Sequence, residues 1–182
     1  MTVIAPRDFR SDLDYSLAAS TETFWEAVYR KAFINMLACE QVSDLDQQKR
    51  GIDRIIYLAN GHTLTIDEKK REREYQDILL EYTSNHERNT PGWIEKDLAI
   101  DYLAYGFMQS RRCYLFPWPM LRRAWLRFGS EWRKKYRPVV AATWVGGNSY
   151  HTISVPVPIA VLQRAITTAT VIDVSDQFEQ VK

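Results

Sequence analysis

Gly51-Ile52-Asp53-Arg54-Ile55-Ile56-Tyr57-Leu58-Ala59-Asn60-Gly61-His62-Thr63-Leu64-Thr65-Ile66-Asp67-Glu68-Lys69-Lys70 is the stretch from which the fold is read. Two apolar, β-branched runs flank Asn60-Gly61, a pair that tolerates positive φ. The spacing predicts a hairpin of strands 52–58 and 63–67. Asp53 opens the first strand, and Asp67-Glu68-Lys69 closes the second. Antiparallel pairing sets the start of one strand beside the end of the next, so Asp53 is expected close to Asp67. Residues two apart on a strand share a face, which places Asp67 and Lys69 together. The register has two solutions. A two-residue Asn60-Gly61 loop sets Asp53 against Glu68, with Lys70 as the partner lysine. A three-residue loop with a bulge at Gly61 sets Asp53 against Asp67. A one-residue slip exchanges the two faces of the strand.

Upstream, residues 1–20 read as an irregular arm. Thr21 or Thr23 can cap a helix, and Glu26 completes a capping box with Thr23. Phe24, Trp25, Val28, Ala32, Phe33, Met36 and Leu37 follow at helical spacing, so this helix is expected to end near Glu40. Residues 43–50 are a polar connection. Downstream, 67–74 is a dense charge run, and Ile78-Leu79-Leu80-Glu81-Tyr82 reads as a short third strand, central because it is apolar. Residues 83–92 form a loop and 97–107 a helix. Cys113-Tyr114-Leu115-Phe116 is a fourth strand stopped by Pro117 and Pro119. A helix over 120–128 carries Leu121, Trp125 and Phe128 on one face. Residues 129–150 are less regular, 152–155 is a short strand, and a helix from Pro158 runs to about Ile166. The fold class expected is α/β: a single domain over 21–182 with a central mixed sheet flanked by helices.

The chain has 182 residues, enough for one domain with a substantial core. No apolar run approaches the ~20 residues of a membrane helix, and Met1–Arg10 lacks the layout of a secretory signal. Cys39 and Cys113 form no CxxC pair, which argues against a cysteine zinc site and for reduced thiols in a cytoplasmic protein. The net charge of +1 decides nothing about partners, but its distribution is uneven. Arg111, Arg112, Arg122, Arg123, Arg127, Arg133, Lys134, Lys135 and Arg137 cluster within 110–137, where Glu131 is the sole acid. Tyr114, Phe116, Trp118, Trp125, Phe128, Trp132 and Tyr136 are interleaved with them. Cations with aromatics suit a phosphate-contacting, base-stacking surface. The same aromatics at helical spacing also suit a core helix with a basic outer face.

Two carboxylates and an ammonium meeting at strand ends suit metal-assisted phosphodiester hydrolysis. Carboxylates hold a hard cation such as magnesium. The cation polarises a phosphoryl oxygen and activates water, and lysine orients that water or stabilises developing charge. An ordinary charge run is a solvated strand end with weak ion pairs, so the weight lies on Asp53 standing opposite. Glu81 has two readings: a member of the metal shell, or a structural acid paired with Arg54 or Arg71.

Ile52-Asp53 followed by Leu64-Thr65-Ile66-Asp67-Glu68-Lys69 resembles the PD-(D/E)XK nuclease superfamily, which includes restriction endonucleases and Holliday-junction resolvases. The core of that group is a helix, a three-stranded antiparallel run, a helix and a further strand. The resemblance covers about half the chain. It implies a restriction-endonuclease-like fold, with Asp53 and Asp67 as ligands of Mg or Mn, Lys69 as the motif lysine and Glu81 as support. Ile66 and Leu64 match the family's apolar lead-in, favouring Asp67 and Lys69 over Glu68 and Lys70. The family pattern often adds a glutamate from the first helix, here Glu26 or Glu40. Two departures stand out: Ile52 where proline is common, and Glu68 where an apolar residue is usual. The resemblance further implies nucleic acid as substrate, DNA in the first instance, a phage or mobile-element setting, and homodimerisation as an arrangement open to the chain. The rival reading is a nuclease fold without catalysis, serving as a nucleic-acid- or protein-binding module.

Other candidates are weaker. His62, His86 and His151 lack zinc-ligand spacing. Gly146-Gly147-Asn148 lacks a phosphate-loop context. Ser84, Ser110 and Ser149 sit in no nucleophile motif. Trp93, after Pro91-Gly92, is a candidate for a cleft wall or for the core. Arg71 and Arg73 lie close enough to the motif to meet phosphates.

Overall fold

A computed structural model describes residues 9–145 and 148–178. The first eight residues of the expected arm and Gly146-Gly147 lie outside these. Along the described residues the chain runs α1 (Phe9–Ala32), β1 (Met36–Gln41), α2 (Leu45–Lys49), β2 (Arg54–Leu58), β3 (Thr63–Arg71), β4 (Asp77–Asn85) and β5 (Thr90–Pro91). A short 3₁₀ turn, Trp93–Glu95, precedes β6 (Tyr102–Phe107), β7 (Arg112–Pro117) and α3 (Trp118–Lys135). Then come β8 (Val139–Val145), β9 (Asn148–Pro158), α4 (Ile159–Ala165) and β10 (Thr170–Asp173). The result is an α/β domain with a six-stranded mixed sheet, order β1-β2-β3-β6-β7-β10, and a four-stranded sheet, order β5-β4-β9-β8. Among the described residues no helix is long and apolar enough to cross a membrane.

The β2–β3 hairpin has the three-residue loop. Tyr57 pairs with Thr63 and Arg54 with Ile66. The Leu58 N–H donates to the His62 carbonyl at 2.9 Å. Gly61 adopts φ +82°, a conformation that glycine reaches without steric cost. β3 then continues through the charge run to Arg71, because β6 lies parallel beside it over Ile66–Arg71.

Several expected elements differ. α1 begins at Phe9, upstream of Thr21 and Thr23, and stops at Ala32 rather than near Glu40. Met36–Gln41 instead forms β1, which pairs antiparallel with β2; edge pairing overrides the helical spacing of Met36 and Leu37. Residues 102–107 are not helical. Tyr102-Leu103-Ala104-Tyr105-Gly106-Phe107 is a strand between β3 and β7, apolar throughout because both faces are covered. The 78–82 strand exists as part of β4, but it belongs to the smaller sheet, between β5 and β9. Residues 72–76 carry the chain across instead of making a tight hairpin. Residues 129–135 extend α3, and most of 139–158 forms the β8–β9 hairpin. β10, without strong sequence signal, closes the far edge against β7.

The two faces of the large sheet bury separate cores. On one face α1 contributes Phe24, Trp25, Val28 and Tyr29 against Ile56, Ile66, Ala104, Cys113 and Leu115. On the other, Leu103, Tyr105, Phe107 and Phe116 meet Ile78 and Leu80 of β4, Val155 and Val157 of β9, and Trp125 and Trp132 of α3. Cys39 and Cys113 are free thiols.

Gly106 is where α1 comes closest to the sheet. A Cβ there would lie 2.8 Å from the Phe24 ring and 2.9 Å from the Trp25 ring, and both rings are buried. Gly106→Ala is therefore expected to cost about 1–3 kcal/mol through overpacking. A fall in the urea midpoint at unchanged slope measures it.

Candidate functional site

Asp53 stands where the chain enters β2, held from three sides. Its N–H donates to the Ile66 carbonyl and its own carbonyl accepts from Val42 N–H, both at 2.9 Å. Its Oδ2 accepts the Glu68 N–H at 2.8 Å. The carboxylate thus takes over the backbone bonding of β3 at the ladder's end. Extending the Arg54–Ile66 pair by one residue sets Asp53 opposite Asp67.

Asp67 is only 2% exposed. Its carboxyl is within hydrogen-bonding reach of Asp53, and Lys69 Nζ donates to its Oδ1. Burial pushes Asp67 up to about 7; Lys69 opposes that rise, and Asp53 adds to it. The three residues expected at the site from β2 and β3 therefore meet.

Glu81 comes from the second sheet. Arg71 binds the Asp77 carboxylate at 2.8 Å where β4 begins, and Lys69 acts electrostatically on Glu81. Burial raises the Glu81 carboxyl, against the lowering effect of the Trp93 N–H that it accepts, of Lys96 and of Lys69. Its expected structural partners are engaged elsewhere: Arg71 with Asp77, and Arg54 with Glu22 and Glu68.

Gly92 and Lys96 escaped the sequence reading, and Trp93 and Arg122 serve here in roles other than those expected of them. Gly92 allows the turn to approach β4, since a Cβ there would lie 2.2 Å from the Glu81 carbonyl oxygen. The turn supplies the Trp93 N–H, while the Trp93 side chain is buried. Lys96 follows directly. Arg122 of α3 donates to the Ile94 carbonyl at 2.6 Å and holds the turn from behind. Pro91-Gly92 was the only local signal, and it announces a turn without saying what the turn touches.

The opposite face of β3 holds a second charge cluster. Arg54, 1% exposed, contacts Glu22 Oε1 at 2.5 Å and Glu68 Oε1 at 2.8 Å, and Tyr29 Oη donates to Glu68 at 2.8 Å. Burial alone would favour neutral Arg54, but the two carboxylates outweigh it and keep it charged. Glu68 and Lys70 therefore point toward α1, away from Asp67 and Lys69, and Lys70 reaches Thr21. Glu26 pairs with Arg30 and Glu40 accepts from Tyr57 Oη, so neither is brought to Asp67. Among the described residues, the α1 carboxylate that reaches the hairpin is Glu22, through Arg54 of β2.

The aromatics of 110–137 are mostly core. Tyr114, Phe116, Trp118, Trp125 and Trp132 are buried, which removes them as a stacking surface. Arg123, Arg127, Arg133, Lys134, Lys135 and Arg137 remain exposed. His62 is exposed, and His151 pairs with Glu87 at 2.6 Å.

Among the described residues no group of three or more His, Cys, Asp or Glu side chains is gathered tightly enough to hold a metal ion. Asp53 and Asp67 make a pair. A pair fits magnesium, which usually keeps several waters and takes one or two carboxylates together with substrate phosphate. The donor chemistry is all oxygen, as a hard cation requires, and the Lys69 ammonium already rests where positive charge is wanted.

Asp67 binds a proton more tightly folded than unfolded, so folding stability falls as pH rises from about 4 to about 7. The gap from the ordinary 3.8 to about 7 sets an upper bound of about 4 kcal/mol. Asp67→Asn is expected to flatten this slope and to exceed the wild type in stability at pH 8, as urea unfolding at pH 5 and pH 8 would show. No protein-family model matches this chain, and neither the curated proteins nor the solved structures contain a match to it.

Proposed function

We propose that this chain is a divalent-metal-dependent nuclease of the PD-(D/E)XK type, hydrolysing phosphodiester bonds of nucleic acid, DNA in the first instance. The observation that carries the reading is the buried Asp67 carboxyl, facing Asp53 and touched by Lys69. A buried carboxyl with a raised pKa destabilises a fold, and such groups concentrate at functional sites. α1 followed by the antiparallel run β1-β2-β3 and the further strand β6 supports the family likeness. In place of the family's intervening helix the chain carries β4, β5 and the Trp93–Glu95 turn.

Asp53 and Asp67 would hold Mg or Mn, which when bound supplies Lewis acidity to the phosphoryl oxygen. Displaced from Asp67, the Lys69 ammonium is free to orient the attacking water and to stabilise charge building on the phosphate. Glu81, within electrostatic reach of Lys69, would add an acid at the edge of the shell. The attacking water gives a proton to solvent as its oxygen forms the new P–O bond. The ester oxygen leaves with the electron pair of the broken bond and takes a proton from solvent. The exposed cations of α3 supply sequence-independent attraction for the phosphate backbone.

Asp53→Ala and Lys69→Ala are each expected to reduce magnesium-dependent cleavage of plasmid DNA by about a hundredfold or more, with unfolding midpoints near wild type. Titration calorimetry should show manganese binding that Asp53→Ala weakens. Full cleavage by either variant overturns the proposal. Nucleic-acid binding without manganese binding or cleavage favours the non-catalytic module instead.

A further inference from the structure

We propose that β8 is the surface by which two copies of this chain associate, each β8 running antiparallel to the other about a two-fold axis at Ala142. The inference is independent of the nuclease reading. β8 is an outer strand of the smaller sheet, so among the described residues no strand pairs with its outer side. Exposed edges of this kind are normally blunted by charge, proline or shortness. The other edges have such protection: β1 carries Glu40, β10 has four residues including Asp173, and β5 is Thr90–Pro91 alone. β8, Val139-Val140-Ala141-Ala142-Thr143-Trp144-Val145, has none of these devices. Residues 139–158 contain no Asp, Glu, Lys or Arg.

Its outward residues are apolar. Val140 is 59% exposed and Trp144 74%. These residues and Ala142 alternate along one face of β8, opposite Ile153, Ser149 and His151 of β9. An antiparallel pair centred on Ala142 sets Val140 of each copy opposite Trp144 of the other. Both large exposed side chains are then covered twice over by one self-complementary contact, as a two-fold interface demands. Cross-strand pairing of an aromatic with a β-branched residue is itself favourable.

Charge argues for the same partner and the same direction. The strand offers no cation to a phosphate backbone, so a nucleic acid gains little from it. Arg137 and the Arg133–Lys135 run precede β8. In the antiparallel arrangement the two copies of Arg137 stand about ten residues apart along the strands, roughly 33 Å. That exceeds the screening length of about 10 Å at 0.1 M salt. A parallel arrangement would bring the basic ends together.

The test uses the full chain. Sedimentation of the wild type at about 100 µM should give a dimer, and Val140→Lys or Trp144→Lys should weaken association about tenfold or more with unfolding midpoints unchanged. Ala142→Cys reports the axis: paired Cα atoms about 5 Å apart lie within disulfide range, so mild oxidation should link two copies. Ala141→Cys, with its counterpart displaced diagonally by about 8 Å, should not link them. A wild type that stays monomeric at that concentration overturns the proposal. So does a dimer indifferent to both lysines, or one that cross-links through 141 rather than 142. A monomer whose DNA binding is weakened by Trp144→Lys also overturns it and assigns the hairpin to nucleic acid.

Discussion

The pairing of Arg54 with Ile66 is the constraint on which the other arrangements rest. It sends Ile66, Glu68 and Lys70 toward α1 and Asp67, Lys69 and Arg71 toward the second sheet. Two devices hold it. Gly61 closes a three-residue turn that a two-residue turn cannot replace without shifting β3 by one position. Arg54, buried between Glu22 and Glu68, would lose its Glu68 partner in any slipped register. Breaking one half of this buried ion cluster costs up to about 3–5 kcal/mol, more than an exposed strand end could return.

That division of one strand into two faces explains why five ionisable groups of the hairpin can sit so close together. Glu68 satisfies Arg54 and Tyr29 on the α1 side, and Asp67 meets Lys69 on the other. Asp53 touches both systems, accepting the Glu68 amide while facing Asp67. It also lines a cavity of about 200 Å³ with Trp25, Gln41, Glu68 and Lys70 on the α1 side. Arg54 is a framework residue for this site although it belongs to neither group of expected site residues.

What the sequence revealed was local. The hairpin, the Asp53–Asp67 juxtaposition and the shared face of Asp67 and Lys69 follow from turn chemistry and a two-residue period. What it hid was decided by tertiary pairing. Met36 and Leu37 continue a helical period, yet β2 offers an edge and the chain takes it. Residues 102–107 are apolar without interruption, which periodicity alone cannot assign to helix or strand. Ile78–Tyr82 was legible as a strand, but which sheet it joins depends on β9, more than seventy residues later in sequence. The aromatics of α3 show the same limit: their spacing established a helix face, and only packing established that the face is core.

Asp53, Asp67 and Lys69 are fixed by one hairpin and share its rigidity. Glu81 rides on the neighbouring sheet and is tied back through Trp93 and, at one remove, Arg122 of α3. Sliding one layer over the other would alter the spacings from Glu81 to Asp53, Asp67 and Lys69 together, while the intervals within the hairpin stay put. The site thus draws its residues from two sheets, three from one hairpin and one from the other layer. Through Arg122, the position of that fourth residue depends on α3, a helix that contributes no side chain to the hairpin group.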